Sequence, residues 1–257
     1  MKNELFSIGP VTVYGYGLMI AIGILAAYIV GEYRAKKKGL EPDYIFYFVI
    51  WCVLGGFLGS KILFVITDFN NILANPKALL NLNEGWVVYG GIIGGIIAAY
   101  IYCKIKKIRF LSYFDILIPS VALAQGFGRV GCFLAGCCYG VETDGPIGIM
   151  FHTSSYAPNG VSLVPTQLIS SGLNFIHFFI LIWFAKHKKA DGQVGALYLI
   201  LYSIGRFILE YFRGDLIRGS IGTLSTSQFI SLFTVTAGII LFIFTGKKGK
   251  ISEDGKA

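Results

Sequence analysis

Residues 44–66 read YIFYFVIWCVLGGFLGSKILFVI, a run of 23 residues with one charged side chain, Lys61. As a helix, a run of this length crosses about 30 Å of hydrocarbon. Six further stretches have the same character: Gly17–Tyr33, Trp86–Cys103, Leu111–Phe127, Thr166–Ala185, Gly195–Phe212 and Thr226–Phe244. The stretch Leu111–Phe127 is the weakest, because it carries Asp115, Pro119 and Gln125 and reads as short or broken. The pattern predicts an all-α membrane protein of seven transmembrane helices. It also predicts a single polytopic domain over 1–257, with a long loop at 128–165 and a polar, frayed tail at 246–257.

Overall composition agrees, with 55% apolar and only 14% charged residues, too little charge for a soluble surface. The 33 glycines favour close helix packing in a membrane. In particular, Gly55, Gly56 and Gly59 in one span and Gly90, Gly91, Gly94 and Gly95 in the next read first as packing signals.

The net charge of +8 would allow nucleic-acid binding, but its distribution argues against that. Fifteen of the 22 Lys and Arg residues fall in four clusters. These are Arg34 with Lys36–Lys38, Lys104–Arg109, Lys186–Lys189 and Lys247–Lys256, which occupy alternate loops and the C-terminal segment. This is the positive-inside pattern. It predicts an N-terminus outside, a C-terminus in the cytoplasm and an odd number of spans. Residues Met1–Pro10 lack the basic run leading into an apolar stretch that marks a cleaved signal peptide, so the first span is expected to be retained. The loop 128–165 is rich in Gly, Pro, Asn and Ser, which predicts turns and short strands. It should form a small extracytoplasmic head.

Chemistry is expected where charge occurs at membrane depth, since each such group costs about 2.5–3.5 kcal/mol on insertion scales. Tyr202, Arg206 and Glu210 are spaced by four and share a helix face. They form either a structural ion pair or a polar cavity with a phosphate-binding arginine. Arg129 lies in Gly126-Phe127-Gly128-Arg129-Val130-Gly131, where the glycines let another group approach the backbone. On its own it reads as a headgroup anchor, and with Arg206 as half of a phosphodiester clamp. Tyr16 and Tyr89 stand at span ends, as interfacial belt residues also do. Cys132, Cys137 and Cys138 form a cluster. A disulfide and small apolar filling both remain open, while the spacing, with no second cysteine pair nearby, speaks against a metal.

In combination these residues resemble the bacterial prolipoprotein diacylglyceryl transferase family. The resemblance spans nearly the whole chain. It rests on Phe6–Pro10 with Tyr16–Met19, on Tyr89–Gly94, on Gly128–Gly131 with Phe133 and Gly140, on Pro165–Leu168, and on Tyr202–Asp215. It implies transfer of the diacylglyceryl group of phosphatidylglycerol to the thiol of a lipobox cysteine in lipoprotein precursors, forming a thioether. By the same resemblance Arg129 and Arg206 are catalytic, with Tyr89 as an orienting group or base. Tyr16, Gly90, Gly91, Gly128, Gln167, Tyr202 and Glu210 join Arg129 in substrate binding. No metal or organic cofactor is implied. The partners are phosphatidylglycerol, lipoprotein precursors and the lipid bilayer of the bacterial cell membrane, with no nucleic acid. Departures occur at Cys132, Ala135 and Cys137, where the family commonly has Asn, Asn and Glu, and at Ser170 and Lys61. A small transporter or channel, or a lipid-binding relative with another acceptor, are the alternatives.

Overall fold

The computed structural model describes residues 4–8, 11–75, 85–215 and 219–254. Gly9, Pro10 and Lys256, singled out from the sequence, lie outside these. A hairpin of β1 (Glu4–Ile8) and β2 (Val11–Tyr14) leads into α1 (Gly15–Lys37). Then come α2 (Pro42–Thr67), the short α3 (Phe69–Ala74), α4 (Val88–Ile105) and α5 (Phe110–Ala135). Two strand pairs, β3 (Ile149–Met150) with β4 (Ser162–Leu163) and β5 (Ser220–Ile221) with β6 (Leu224–Ser225), flank α6 (Thr166–His187) and α7 (Gln193–Glu210). The last element is α8 (Thr226–Asp254). Among the described residues, all of these helices except α3 are long and apolar enough to cross a membrane, seven in total. The protein is an all-α, multi-pass membrane protein.

The expectation of a short or broken fourth span is corrected. Helix α5 is continuous for 26 residues with Pro119 inside it. Its polar residues looked disruptive because their partners are distant in sequence. Tyr198 donates from its hydroxyl to Gln125 Oε1 at 2.8 Å. The Asp115 carboxylate accepts from Lys188 Nζ at 2.7 Å, from Gly192 N at 2.8 Å and from Gly195 N at 3.0 Å. A buried charge satisfied in this way no longer breaks a membrane helix. The long loop consequently starts at Gly136, and Arg129 stands on a helix. One other boundary moves as well: Tyr16 lies inside α1, whereas Tyr89 stays at the end of its span as the second residue of α4. The tail read as frayed continues α8 as far as Asp254.

The chain divides into two compact units, Met1–Gly31 with Phe114–Ala257, and Glu32–Tyr113. In the second, α2 and α4 cross backbone to backbone. A Cβ built on Gly59 would lie 2.4 Å from the Gly90 carbonyl oxygen, and one on Gly94 2.3 Å from that of Gly55. Only glycine allows this approach, as in small-residue membrane packing. Ser60 adds a hydrogen bond to the Val87 carbonyl at 2.9 Å.

In the first unit, α1 lies on α5 through further close contacts. A Cβ on Gly23 would lie 3.1 Å from the Ala124 carbonyl oxygen, and one on Gly131 3.1 Å from the Tyr16 ring. Helix α6 is joined to α5 by Ser171, which donates to the Gly126 carbonyl at 2.8 Å. Helices α7 and α8 share an extended interface that includes the Ser203–Thr234 hydroxyl pair at 2.6 Å. Phe133, Phe151, Ala157 and Leu163 form a small apolar core beneath the segment that follows α5.

Two predictions follow from these contacts. Gly59→Val should cost about 1–3 kcal/mol by overpacking, whereas Gly172→Ala, with nothing within 4 Å of its Cβ, should be silent. Thermal unfolding in detergent distinguishes the two, and equal midpoints would contradict the backbone crossing. The second concerns Lys188. Burial disfavours its charge, yet the hydrogen bonds and charges of Asp115 and Asp191 raise its pKa above the ordinary 10.5. A pKa raised by folding gives stability that is present below the unfolded value and lost as pH rises through the folded one. The stability difference between wild type and Lys188→Met should therefore be flat near neutrality, at about 3–5 kcal/mol. It should shrink only above pH 10.5, as read from unfolding midpoints across pH.

Candidate functional site

The site is assembled from α5, α6 and α7 within one unit. Arg129, Ser170, Leu173, Asn174, His177, Tyr202, Gly205, Arg206 and Leu209 line a narrow cavity. The two arginines picked out from sequence are thus neighbours across one space. Their electrostatic situations differ.

Arg206 is largely satisfied. Its Nη2 lies 2.7 Å from Glu210 Oε2, one helical turn on, and donates to Ser227 Oγ at 2.7 Å. Glu210 in turn accepts from Ser225 Oγ at 2.9 Å. The Arg206–Glu210 pair and the β6–α8 corner therefore hold one another. The ion-pair reading of this spacing is observed, and Arg206, though not Glu210, also lines the cavity. Arg129 is half-buried and makes neither a hydrogen bond nor an ion pair among the described residues. A guanidinium cannot lose its proton to escape this cost.

Tyr202 completes the cavity wall and stacks on Tyr198, with ring centroids 5.6 Å apart. Gly128 sits one residue before Arg129, and a Cβ there would meet nothing within 4 Å. No packing contact requires glycine at that position, unlike Gly126, where a Cβ would lie 2.5 Å from the Phe175 ring.

Gln167 is not among the cavity residues. Its Nε2 donates to the Cys137 carbonyl at 2.9 Å, and the neighbouring Thr166 hydroxyl donates to the Cys138 carbonyl at 2.9 Å. The first turn of α6 thus fixes the cysteine-bearing segment beside Arg129. That segment is also stitched to the end of α7. Val141 N donates to the Phe212 carbonyl at 2.9 Å, and Gly214 N to the Tyr139 carbonyl at 3.1 Å. There Arg213 is buried and bonds both oxygens of Asp215, at 2.8 and 2.6 Å. Tyr16 reaches the same end of α5 through Gly131. Tyr89, Gly90 and Gly91 belong to the other unit, where Gly90 approaches Gly59.

Asn174 and His177 were not selected from the sequence. Asn174 Oδ1 and His177 Nδ1 are buried without a hydrogen-bond partner among the described residues. The signal was present in a different form, since Gln167, Ser170, Asn174 and His177 recur at three- and four-residue spacing along an apolar span.

Replacing Gln167 with Ala would leave the buried Cys137 carbonyl unpaired, at a cost of about 1–3 kcal/mol. Thermal unfolding should show this loss, with Gln167→Glu no better, because Glu supplies no donor when ionised.

Comparison with known proteins gives a consistent result. A family model described as prolipoprotein diacylglyceryl transferase matches residues 3–244. A phosphatidylglycerol–prolipoprotein diacylglyceryl transferase of Clostridium tetani is 51% identical over 94% of this chain and 97% of its own length. One of Clostridium perfringens, numbered 2, is 43% identical over 97% and 98%. One of Clostridioides difficile is 36% identical over 99% and 100%.

Proposed function

The chain belongs to the prolipoprotein diacylglyceryl transferase family, and from that membership we propose how its own residues carry the reaction. It transfers the diacylglyceryl group of phosphatidylglycerol to prolipoprotein. The observation that supports the site assignment is the uncompensated Arg129 beside the braced Arg206 in one cavity.

Arg129 takes the phosphate of phosphatidylglycerol. Two donors of its planar fork suit two phosphate oxygens, which a point charge cannot match. Arg206, held by Glu210 and Ser227, presents its remaining donors to the same group. Tyr202, Asn174 and His177 offer polar contacts to the glycerol. The acceptor thiol of the lipobox cysteine gives up its proton, which ends on the departing glycerol phosphate, and the sulfur attacks the diacylglyceryl carbon. The new carbon–sulfur bond is a thioether, and the carbon–oxygen bond to phosphate breaks. Glycerol phosphate leaves with the bonding electrons, and the arginines offset its growing charge. Tyr16 orients the reactants, and for Tyr89 the same role rests on family membership alone. Gly90 and Gly91 border the Tyr89 position, and Gly128 leaves room for the headgroup against α5. The cavity as it stands is narrow, so lipid entry requires its lining side chains to move.

The positive clusters support an N-terminus outside and a C-terminus in the cytoplasm, in the bacterial cell membrane. The segment 136–165 would then lie on the outer side, where precursors emerge. These roles need no metal or organic cofactor.

Arg129→Ala and Arg206→Ala should each reduce transfer by about 10²–10³-fold or more, while both proteins still insert. The assay is the mass gain on the cysteine of a lipobox peptide incubated with phosphatidylglycerol. Near-full activity in both variants would overturn the assignment. Gly128→Ala is the subtler test. It should fold as well as wild type, since no atom opposes the new methyl, yet raise KM for phosphatidylglycerol. An unchanged KM would remove Gly128 from the lipid site.

A further inference from the structure

Cys132, Cys137 and Cys138 are brought together by the way α5 ends. Gly136 adopts φ 76°, which permits a Schellman ending. Cys137 N donates to the Cys132 carbonyl at 3.1 Å and Gly136 N to the Phe133 carbonyl at 3.1 Å. This ending folds Cys137 back over the turn that carries Cys132. A methyl at Gly136 would lie 2.2 Å from Ser154 Oγ, so glycine is required there on two counts.

Cys138 then takes φ 62°, a left-handed conformation that non-glycine residues adopt at a cost of about 1–3 kcal/mol and that concentrates at functional sites. Thr166 and Gln167 hold the carbonyls of Cys138 and Cys137 from behind. As a result, all three sulfur atoms lie within 4.8 Å of one another, and none of the three cysteines is in a disulfide. The transfer reaction derived above uses none of them.

We propose that Cys132, Cys137 and Cys138 form a three-thiolate site for a closed-shell thiophilic cation of the Zn(II) or Cu(I) class. The linear spacing argues against a metal, because it contains no second pair. The folded turn removes that objection by supplying three ligands on its own. Zinc–thiolate bonds are about 2.3 Å long, which places the sulfur atoms about 3.8 Å apart around a tetrahedral ion. The thiols reach that spacing by side-chain rotation, with their backbone already fixed. Soft thiolates select these ions over magnesium or calcium. Three thiolates around a divalent ion leave one negative charge, and the positive charges of Arg213 and Arg129 act on this cluster. With three protein ligands, water fills the fourth position around zinc. The bound ion ties α5 to the segment that α6 and α7 also hold, next to Arg129.

The test uses the full-length protein in detergent, purified under reductant and handled without oxygen. Zn(II) is titrated against a chromophoric chelator, and Cu(I) against a chelator of its own. One equivalent of at least one ion should bind, and its binding should raise the unfolding midpoint. Cys132→Ser, Cys137→Ser and Cys138→Ser should each weaken binding by more than the about 10–100-fold typical of losing an outer-shell partner. A Cys52→Ser, Cys103→Ser double variant should bind as wild type. Cd(II) added to the wild-type protein should give a thiolate charge-transfer band in the near ultraviolet, which needs no variant to fold. Absence of binding and of the cadmium band would overturn the proposal. So would unchanged binding in a variant with Cys132→Ser, Cys137→Ser and Cys138→Ser combined, or a disulfide within the cluster in protein isolated without reductant.

Discussion

A guanidinium at membrane depth must find a counter-charge, a polar cavity or a ligand, because it cannot shed its proton. The cavity between α5, α6 and α7 is organised around that constraint. Arg206 meets it internally, through Glu210 and Ser227. Arg129 does not, and it faces the same cavity. The difference assigns them different work. One is a braced donor that holds its direction, and the other is an open positive charge whose natural complement is an anion. Phosphatidylglycerol, the lipid in the names of the chain's relatives, brings a phosphodiester. A neutral cavity of the same shape would have no reason to prefer it.

The fold keeps these groups in register with unusually close backbone contacts. Glycines let α1 approach α5, and let α2 approach α4, to distances that any side chain would prevent. Hydrogen bonds from Ser171, Thr166 and Gln167 attach α6 to α5 and to the segment after it. Backbone bonds from Val141 and Gly214 attach that segment to the end of α7. The Asp115–Lys188 corner fixes the turn between α6 and α7. In a bilayer, apolar burial provides little drive between helices, so specific polar ties and close packing must supply the order.

Much of this was legible in the sequence because membrane length and charge spacing are local signals. The seven spans and the Arg206–Glu210 pair follow from them, and so does the choice of Arg129 and Arg206, which the fold brings to one cavity. The continuity of α5 was hidden, because Asp115 and Gln125 are neutralised by Lys188 and Tyr198, more than seventy residues away. Asn174 and His177 escaped notice for a related reason: a polar residue in an apolar span shows its function only when the opposite wall is known. Gln167 was read as substrate-binding, while its observed bond is to the Cys137 carbonyl. Its Oε1 is buried without a hydrogen-bond partner among the described residues, a detail that no linear pattern carries. The hairpin before the first span was not foreseen, because no turn signal with clear strand alternation marks it in the sequence.

The central claim is that Arg129 provides the charge that recognises the lipid phosphate. The most direct measurement compares binding of phosphatidylglycerol and of uncharged diacylglycerol to the detergent-solubilised protein, wild type and Arg129→Gln, by native mass spectrometry. The account predicts that wild type prefers the phosphate-bearing lipid, and that the variant loses this preference while still binding diacylglycerol. An Arg129→Gln protein that kept the full preference would contradict it.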